Sequence, residues 1–181
     1  MNKIGHTSFD NFFSNKLQND LFGRIEKGLV EPEEFYNEIR TTIGNSYTND
    51  TIKKAWCEML LDTPYERINL LMKLRSKYAV FLLSNTNKIH TDYYTNYLNQ
   101  TYKIDFQGVF QKTYFSHELC MRKPDPEIFK FVLFDSNLNP KQTLFIDDTE
   151  TNIDAAASLG IMALHLTEEL TIENILRKWA E

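Results

Sequence analysis

Three short segments carry residue types that can bind an anion and a hard metal ion. Ser84-Asn85-Thr86-Asn87 closes one apolar run and Asp147-Asp148 closes another. Between them stands Met121-Arg122-Lys123-Pro124-Asp125-Pro126-Glu127. In the first segment, hydroxyl and amide groups meet the free N–H groups of a following helix, a combination that attracts anions. The same residue types cap helices, so the segment alone is compatible with either role. Two adjacent carboxylates call for a cation beside them, and oxygen-only ligands suit Mg²⁺ together with phosphate and water. One Asp is enough to cap a helix; the second tilts the pair toward metal. A Lys followed by proline on a restricted backbone has a defined direction, which suits charge neutralisation at a phosphoryl group. Taken singly it reads as a solvated loop Lys, and the three segments are stronger together than apart.

These segments need elements to hold them. Residues 8–77 show helical periodicity and almost nothing that reads as a strand. One helix is predicted over Phe9, Phe12, Phe13, Leu17 and Leu21, and a second after Glu31-Pro32-Glu33-Glu34, continuing over Phe35, Tyr36 and Ile39. Gly28 is a stop between them. A third is predicted over 51–61, with Trp56 on its apolar face, and a fourth opens at Pro64. From 78 to 181 short apolar runs alternate with helices. Strands are predicted at 79–83, 112–115, 143–146 and 161–166, and helices at 88–102, 126–134, 149–159 and 172–179. That alternation implies an α/β fold with a parallel sheet covered by helices, whose ligand site lies beyond the carboxyl ends of the strands. Two of the three polar segments close predicted strands, and the Lys-Pro segment lies between those tips.

Composition narrows the function classes. The chain has 181 residues, 20 basic against 25 acidic, for a net charge of −5. Such a balance argues against broad nucleic-acid binding, which needs a basic surface. No run approaches the ~18 apolar residues of a membrane span, and the first residues lack the apolar core of a signal peptide, so a cytoplasmic location is expected. Two cysteines, Cys57 and Cys120, do not make a disulfide framework. Cys120 is expected to be buried, and His90 and His117 to be solvated helix-end or loop residues.

Two known families combine Ser/Thr, Lys-Pro and an Asp pair at strand tips. In phosphoreceiver domains the Asp pair comes first and Lys-Pro last, the reverse of the order here. The order Ser84, Lys123-Pro124, Asp147-Asp148 resembles the haloacid dehalogenase (HAD) superfamily. Leu82-Leu83-Ser84-Asn85-Thr86-Asn87 is similar to its second motif, and Arg122-Lys123-Pro124 with Pro126-Glu127-Ile128-Phe129 to its third. Phe145-Ile146-Asp147-Asp148-Thr149-Glu150-Thr151-Asn152 is similar to its fourth. Ser-Asn-Thr-Asn and Met-Arg-Lys-Pro resemble a branch of small sugar-phosphate phosphatases.

The resemblance implies a Rossmann-like core at 78–181 and a helical cap with its connecting helix at 8–77. It implies Mg²⁺ as cofactor and a small phosphorylated metabolite as partner, with no nucleic acid or membrane. Ser84 would bind the phosphoryl oxygen, Asn85 would line the entrance to the phosphate site, and Lys123 would neutralise the phosphoryl charge. Asp148 and then Asp147 would ligate Mg²⁺, and Asn152 would support the acidic loop. The family's nucleophile is an Asp at the tip of a central strand preceding the cap, and no such strand is legible; Asp10, the early candidate, sits in a helical pattern. Losing a central strand strips on the order of ten ladder partners, at roughly 1–3 kcal/mol for each group left buried. Net stability is only about 5–15 kcal/mol. The expectation is therefore that the start is late, that neighbouring strands re-pair, or that another chain supplies the strand. The chain is expected to be inactive or nearly so, the full-length parent being a phosphomonoesterase; the alternative is a non-catalytic module that binds a phosphate ligand or a protein.

Overall fold

The computed structural model describes residues 21–180. Most of the first expected helix lies outside them. Four helices come first: α1 (Gly23–Glu26), α2 (Pro32–Ile43), α3 (Asn49–Cys57) and α4 (Tyr65–Arg75). Pro32 opens α2 with Glu33 and Glu34 in its first turn, and Phe35, Tyr36 and Ile39 line its buried stripe. Thr48 caps α3 by accepting from the Thr51 N–H at 3.2 Å. Arg24 of α1 pairs with Glu34 and Glu38 of α2, fixing the hairpin between them. Leu21, Ile25, Phe35, Ile39, Ile52 and Trp56 then close a small core that also takes in Ile89, from the next part of the chain.

That next part is β1 (Phe81–Ser84), α5 (Lys88–Tyr102), β2 (Lys112–Phe115), α6 (Ser116–Leu119), α7 (Pro126–Asp135), β3 (Leu144–Asp147), α8 (Glu150–Ser158), β4 (Met162–His165) and α9 (Ile172–Ala180). The expected alternation is present, with boundaries displaced by one or two residues. β1 pairs with β2 and β3 with β4, both parallel. The register sets Ser84 beside Phe115 and Asp147 beside His165.

The sheet departs from expectation. Among the described residues it consists of two separate two-stranded pairs. β1 and β3 do not pair with each other, so the sheet has not closed up by re-pairing. Side-chain layers hold the halves together instead. Leu83 of β1 and Phe145 and Ala163 of the other pair pack on Ile128, Phe129 and Ala156. On the opposite face Val80, Ile146 and Leu164 pack on Leu74, Ile175 and Leu176. Alternate residues of a strand point to opposite faces, so each pair feeds both layers. Burying such a side chain contributes roughly 1.5–3 kcal/mol, enough for layer packing to align strands that share no ladder.

Candidate functional site

The carboxyl ends of β1 and β3 converge, and Lys123 links them. Its side chain is buried, and Nζ lies 2.5 Å from Asp147 Oδ2 and 5.5 Å from the centre of the Phe145 ring. Its backbone is held by Asn85, whose amide donates to the Lys123 carbonyl and accepts from the Lys123 N–H, both at 2.8 Å. Asn85 was expected to line the entrance and bind phosphate. In the structure both ends of its amide hold the Lys123 backbone.

The two adjacent aspartates have separate surroundings. Asp147 is buried, and its Oδ1 accepts from the Thr149 N–H and the Asn152 amide, each at 2.9 Å. Burial pushes its carboxyl up. The Lys123 hydrogen bond, the Asn152 bond, the Lys123 charge and the Thr149 N–H together outweigh burial, and the carboxyl stays below the ordinary carboxylate value. Asp148 is exposed; its Oδ1 lies 3.4 Å from the Thr149 hydroxyl, too long for a strong bond. Its carbonyl takes His165 Nε2 at 3.0 Å. As a metal ligand Asp148 has open oxygens, whereas Asp147 is already engaged by Lys123 and two N–H donors. Among the described residues no cluster of three or more His, Cys, Asp and Glu side chains is arranged to hold a metal. One open carboxylate fits Mg²⁺, which keeps waters and takes phosphate oxygens to complete its shell.

Ser84 ends β1, half-buried, and the next residues enter α5 with Asn87 as its cap, accepting from the His90 N–H at 3.1 Å. Ser116, at the tip of β2, was not singled out from sequence. It is fully buried, accepts from the Thr86 N–H at 2.9 Å and donates to the Thr86 carbonyl at 3.0 Å. A Ser immediately after a predicted strand was the one available signal. It could not show which loop the hydroxyl would meet.

The helical half closes over this end. Gly28 has φ +65°, and a Cβ there would lie 2.1 Å from the His117 carbonyl oxygen, so only glycine lets the turn after α1 approach so closely. Lys27 pairs with Asp125 at 3.1 Å and Glu26 lies 3.0 Å from Arg122. Two expectations are corrected here. His90 is buried: it stacks on Trp56 at 5.0 Å, and its Nε2 lies 3.1 Å from the Trp56 carbonyl. His117 is half-buried against Phe115. Cys120 is a third correction, because it is exposed, in a left-handed turn at φ 54° that carries its side chain out of the core.

A family model described as haloacid dehalogenase-like hydrolase matches residues 16–160. The chain is 30% identical over 158 residues to a D-ribitol-5-phosphate phosphatase of Bacteroides thetaiotaomicron, covering 87% of this chain and 77% of that protein. It is 26% identical over 156 residues to a sesquiterpene phosphatase of Aspergillus oryzae, covering 85% and 76%. A HAD family enzyme of B. thetaiotaomicron, solved with magnesium and inorganic phosphate, superposes with a TM-score of 0.87 at 38% identity, covering 97% of this chain and 87% of that one.

Proposed function

This chain belongs to the haloacid dehalogenase-like hydrolases, and on that footing we propose that its strand tips bind the phosphoryl group of a small phosphomonoester together with Mg²⁺. The observation that carries the reading is Lys123, a buried cation fixed at both its backbone and its ammonium beside an open carboxylate, Asp148. Lys123 attracts and neutralises the phosphoryl oxygens, and Asn85 and Asp147 hold it in one place. Ser84 and the N-terminal end of α5 offer further donors on the same side. Phosphoryl transfer is mostly positioning and charge stabilisation, and fixed donors suit it. Asp148 would hold Mg²⁺, and the metal would supply positive charge for a dianion. Local charge requires that help: Lys123 and Arg122 face Asp147, Asp148 and Glu26, leaving the tips net negative before any ligand arrives.

Hydrolysis by the family's route also needs a carboxylate nucleophile on a strand between β1 and β3. No described residue fills that place. The reading is therefore a phosphatase scaffold that binds phosphate esters and, as this chain, turns them over little or not at all. Titration calorimetry with inorganic phosphate and Mg²⁺ tests binding, and steady-state assay of a generic phosphoester tests turnover. Saturable binding that weakens in Asp148→Asn, without turnover, is the expected result. Mg²⁺-dependent turnover abolished by Asp148→Asn would overturn the inactivity, and absence of phosphate binding would overturn the site.

A further inference from the structure

The peptide that joins Asp148 to Thr149 is held at both ends. Its carbonyl lies 3.0 Å from His165 Nε2, and its N–H donates to Asp147 Oδ1 at 2.9 Å. An imidazole nitrogen facing a carbonyl must carry the hydrogen, so His165 is the donor. Asp147 is itself anchored, by the Lys123 ammonium at 2.5 Å and the Asn152 amide at 2.9 Å. His165, half-buried at the end of β4, brings the second support from a different strand.

Regular strand pairing does not account for that contact. The ladder sets His165 beside Asp147 and finishes with the Leu166 N–H donating to the Asp147 carbonyl at 2.8 Å. Successive carbonyls of a strand point to opposite sides, so a chain running straight on would turn the Asp148 carbonyl away from β4. It bends at Asp148 instead, and the imidazole meets the carbonyl that the bend brings round. Nor does the fold need this bond to satisfy a buried group. The contact lies at the exposed surface, where water would serve the carbonyl equally. What the bond adds is direction. With its carbonyl and the following N–H both tied, the backbone of Asp148 has a fixed place, while the carboxylate keeps open oxygens. A fixed backbone with free oxygens suits a ligand that must meet a hard cation without first being ordered.

We propose that His165 is a positioning residue for Mg²⁺, acting through the backbone of Asp148 and touching neither metal nor phosphate. The proposal rests on Asp148 as the metal ligand of the function proposed above and extends that site to β4. Groups that orient a metal ligand typically contribute roughly ten- to a hundredfold in metal affinity. His165 holds the backbone of the ligand and not its carboxylate, so the lower end of that range applies.

Titration calorimetry of Mg²⁺ into the full chain, with saturating inorganic phosphate, tests the proposal. The variants are His165→Phe and His165→Leu, which both remove the donor, His165→Gln, whose amide can restore it, and Asp148→Asn. Circular dichroism establishes folding, and either donor-free variant that folds serves. Loss of the donor should weaken Mg²⁺ about tenfold, and His165→Gln should return to within about threefold of the parent chain. Hydrogen exchange of the metal-free chain gives a second readout: the Thr149 amide should exchange several-fold faster without the donor and at the parent rate in His165→Gln. Unchanged Mg²⁺ affinity without the donor overturns the proposal. A loss that glutamine does not restore also overturns it, since that loss would belong to the packing of the ring. Mg²⁺ that fails to bind the parent chain, or binds Asp148→Asn equally well, sinks the metal reading itself and the proposal with it.

Discussion

At the residue scale, neighbours in sequence differ most where one is buried. Asp147 and Asp148 are identical in type and adjacent, and from sequence both read as metal ligands. The structure separates them: Asp147 balances Lys123 inside the fold, while Asp148 faces outward. Removing one member of a buried pair leaves the other charge uncompensated, at about 3–5 kcal/mol. Exposed side chains away from such features change stability by no more than roughly 0.5 kcal/mol. Asp147→Asn should therefore lower the urea midpoint sharply, and Asp148→Asn should leave it nearly unchanged while weakening Mg²⁺-dependent phosphate binding. Equal midpoints in the two variants would mean the pair contributes nothing to the fold. That Ser84 and Asp147 would close strands was legible from the apolar runs they end. The division of labour was not, since it depends on which carboxylate the Lys123 ammonium reaches across 24 residues.

At the element scale, helices and strands were readable from periodicity, and their partners were not. α5 was delimited correctly at both ends, with Asn87 as a cap and Lys103 in a left-handed C-terminal turn. Its His90 nevertheless read as solvated because it stands in the first turn of a helix. What buries it is Trp56, 34 residues earlier and in another helix. The hydrogen bonds fix its protonation. Nε2 faces a carbonyl and must carry the hydrogen, whereas Nδ1 faces the Asn87 amide at 3.2 Å, whose oxygen is committed to the His90 N–H. The neutral ring satisfies both neighbours; a second proton on Nδ1 would meet a donor. Burial accordingly lowers the His90 pKa, partly offset by the Trp56 carbonyl, and burial lowers that of His117 as well.

The sign of the pH effect follows. Below the ordinary value of about 6.5 the unfolded chain takes up protons that the folded chain resists, so stability is complete above that pH and is lost as pH falls toward the folded values. His90→Phe keeps a ring against Trp56 and removes both bonds. It should cost about 1–3 kcal/mol at pH 8, the range for buried groups left unpaired. It should also flatten the loss of stability between pH 7 and pH 5. Urea midpoints at several pH values measure both effects, and a slope as steep as in the parent chain would refute the role given to His90.

At the scale of the whole molecule, the described residues form two parallel pairs with no backbone bonds between them, and side chains must align the two. The pattern of strands and helices foretold the layers, while the illegible first strand led to the expectation of a late start, of re-paired neighbours or of a strand from another chain; among the described residues β1 and β3 remain apart. Layer packing explains that outcome. Leu83 and Phe145 share one apolar cluster and Val80 and Ile146 another, so the two pairs are aligned by side chains without backbone bonds between them. The consequence is local. On β3 the Thr143 and Asp147 carbonyls accept from Met162 and Leu166 of the neighbouring strand region at 3.0 and 2.8 Å. Backbone groups in a parallel ladder alternate sides, so Phe145 and Asp147 direct their N–H groups toward β4, and Leu144 and Ile146 direct theirs the other way. No described residue pairs with that inner side. Two-stranded sheets are marginal by themselves, and amides without a ladder partner exchange through the smallest openings. Residue-resolved hydrogen exchange should therefore alternate along a single strand, with Ile146 exchanging at least tenfold faster than Phe145 and Asp147 on either side. The contrast isolates the inner edge of β3 from general looseness, because all three residues sit in the same strand under the same helices. Protection of Ile146 equal to that of its neighbours would show the inner edge of β3 to be hydrogen-bonded in solution, and the split sheet would then be wrong as a description of the molecule.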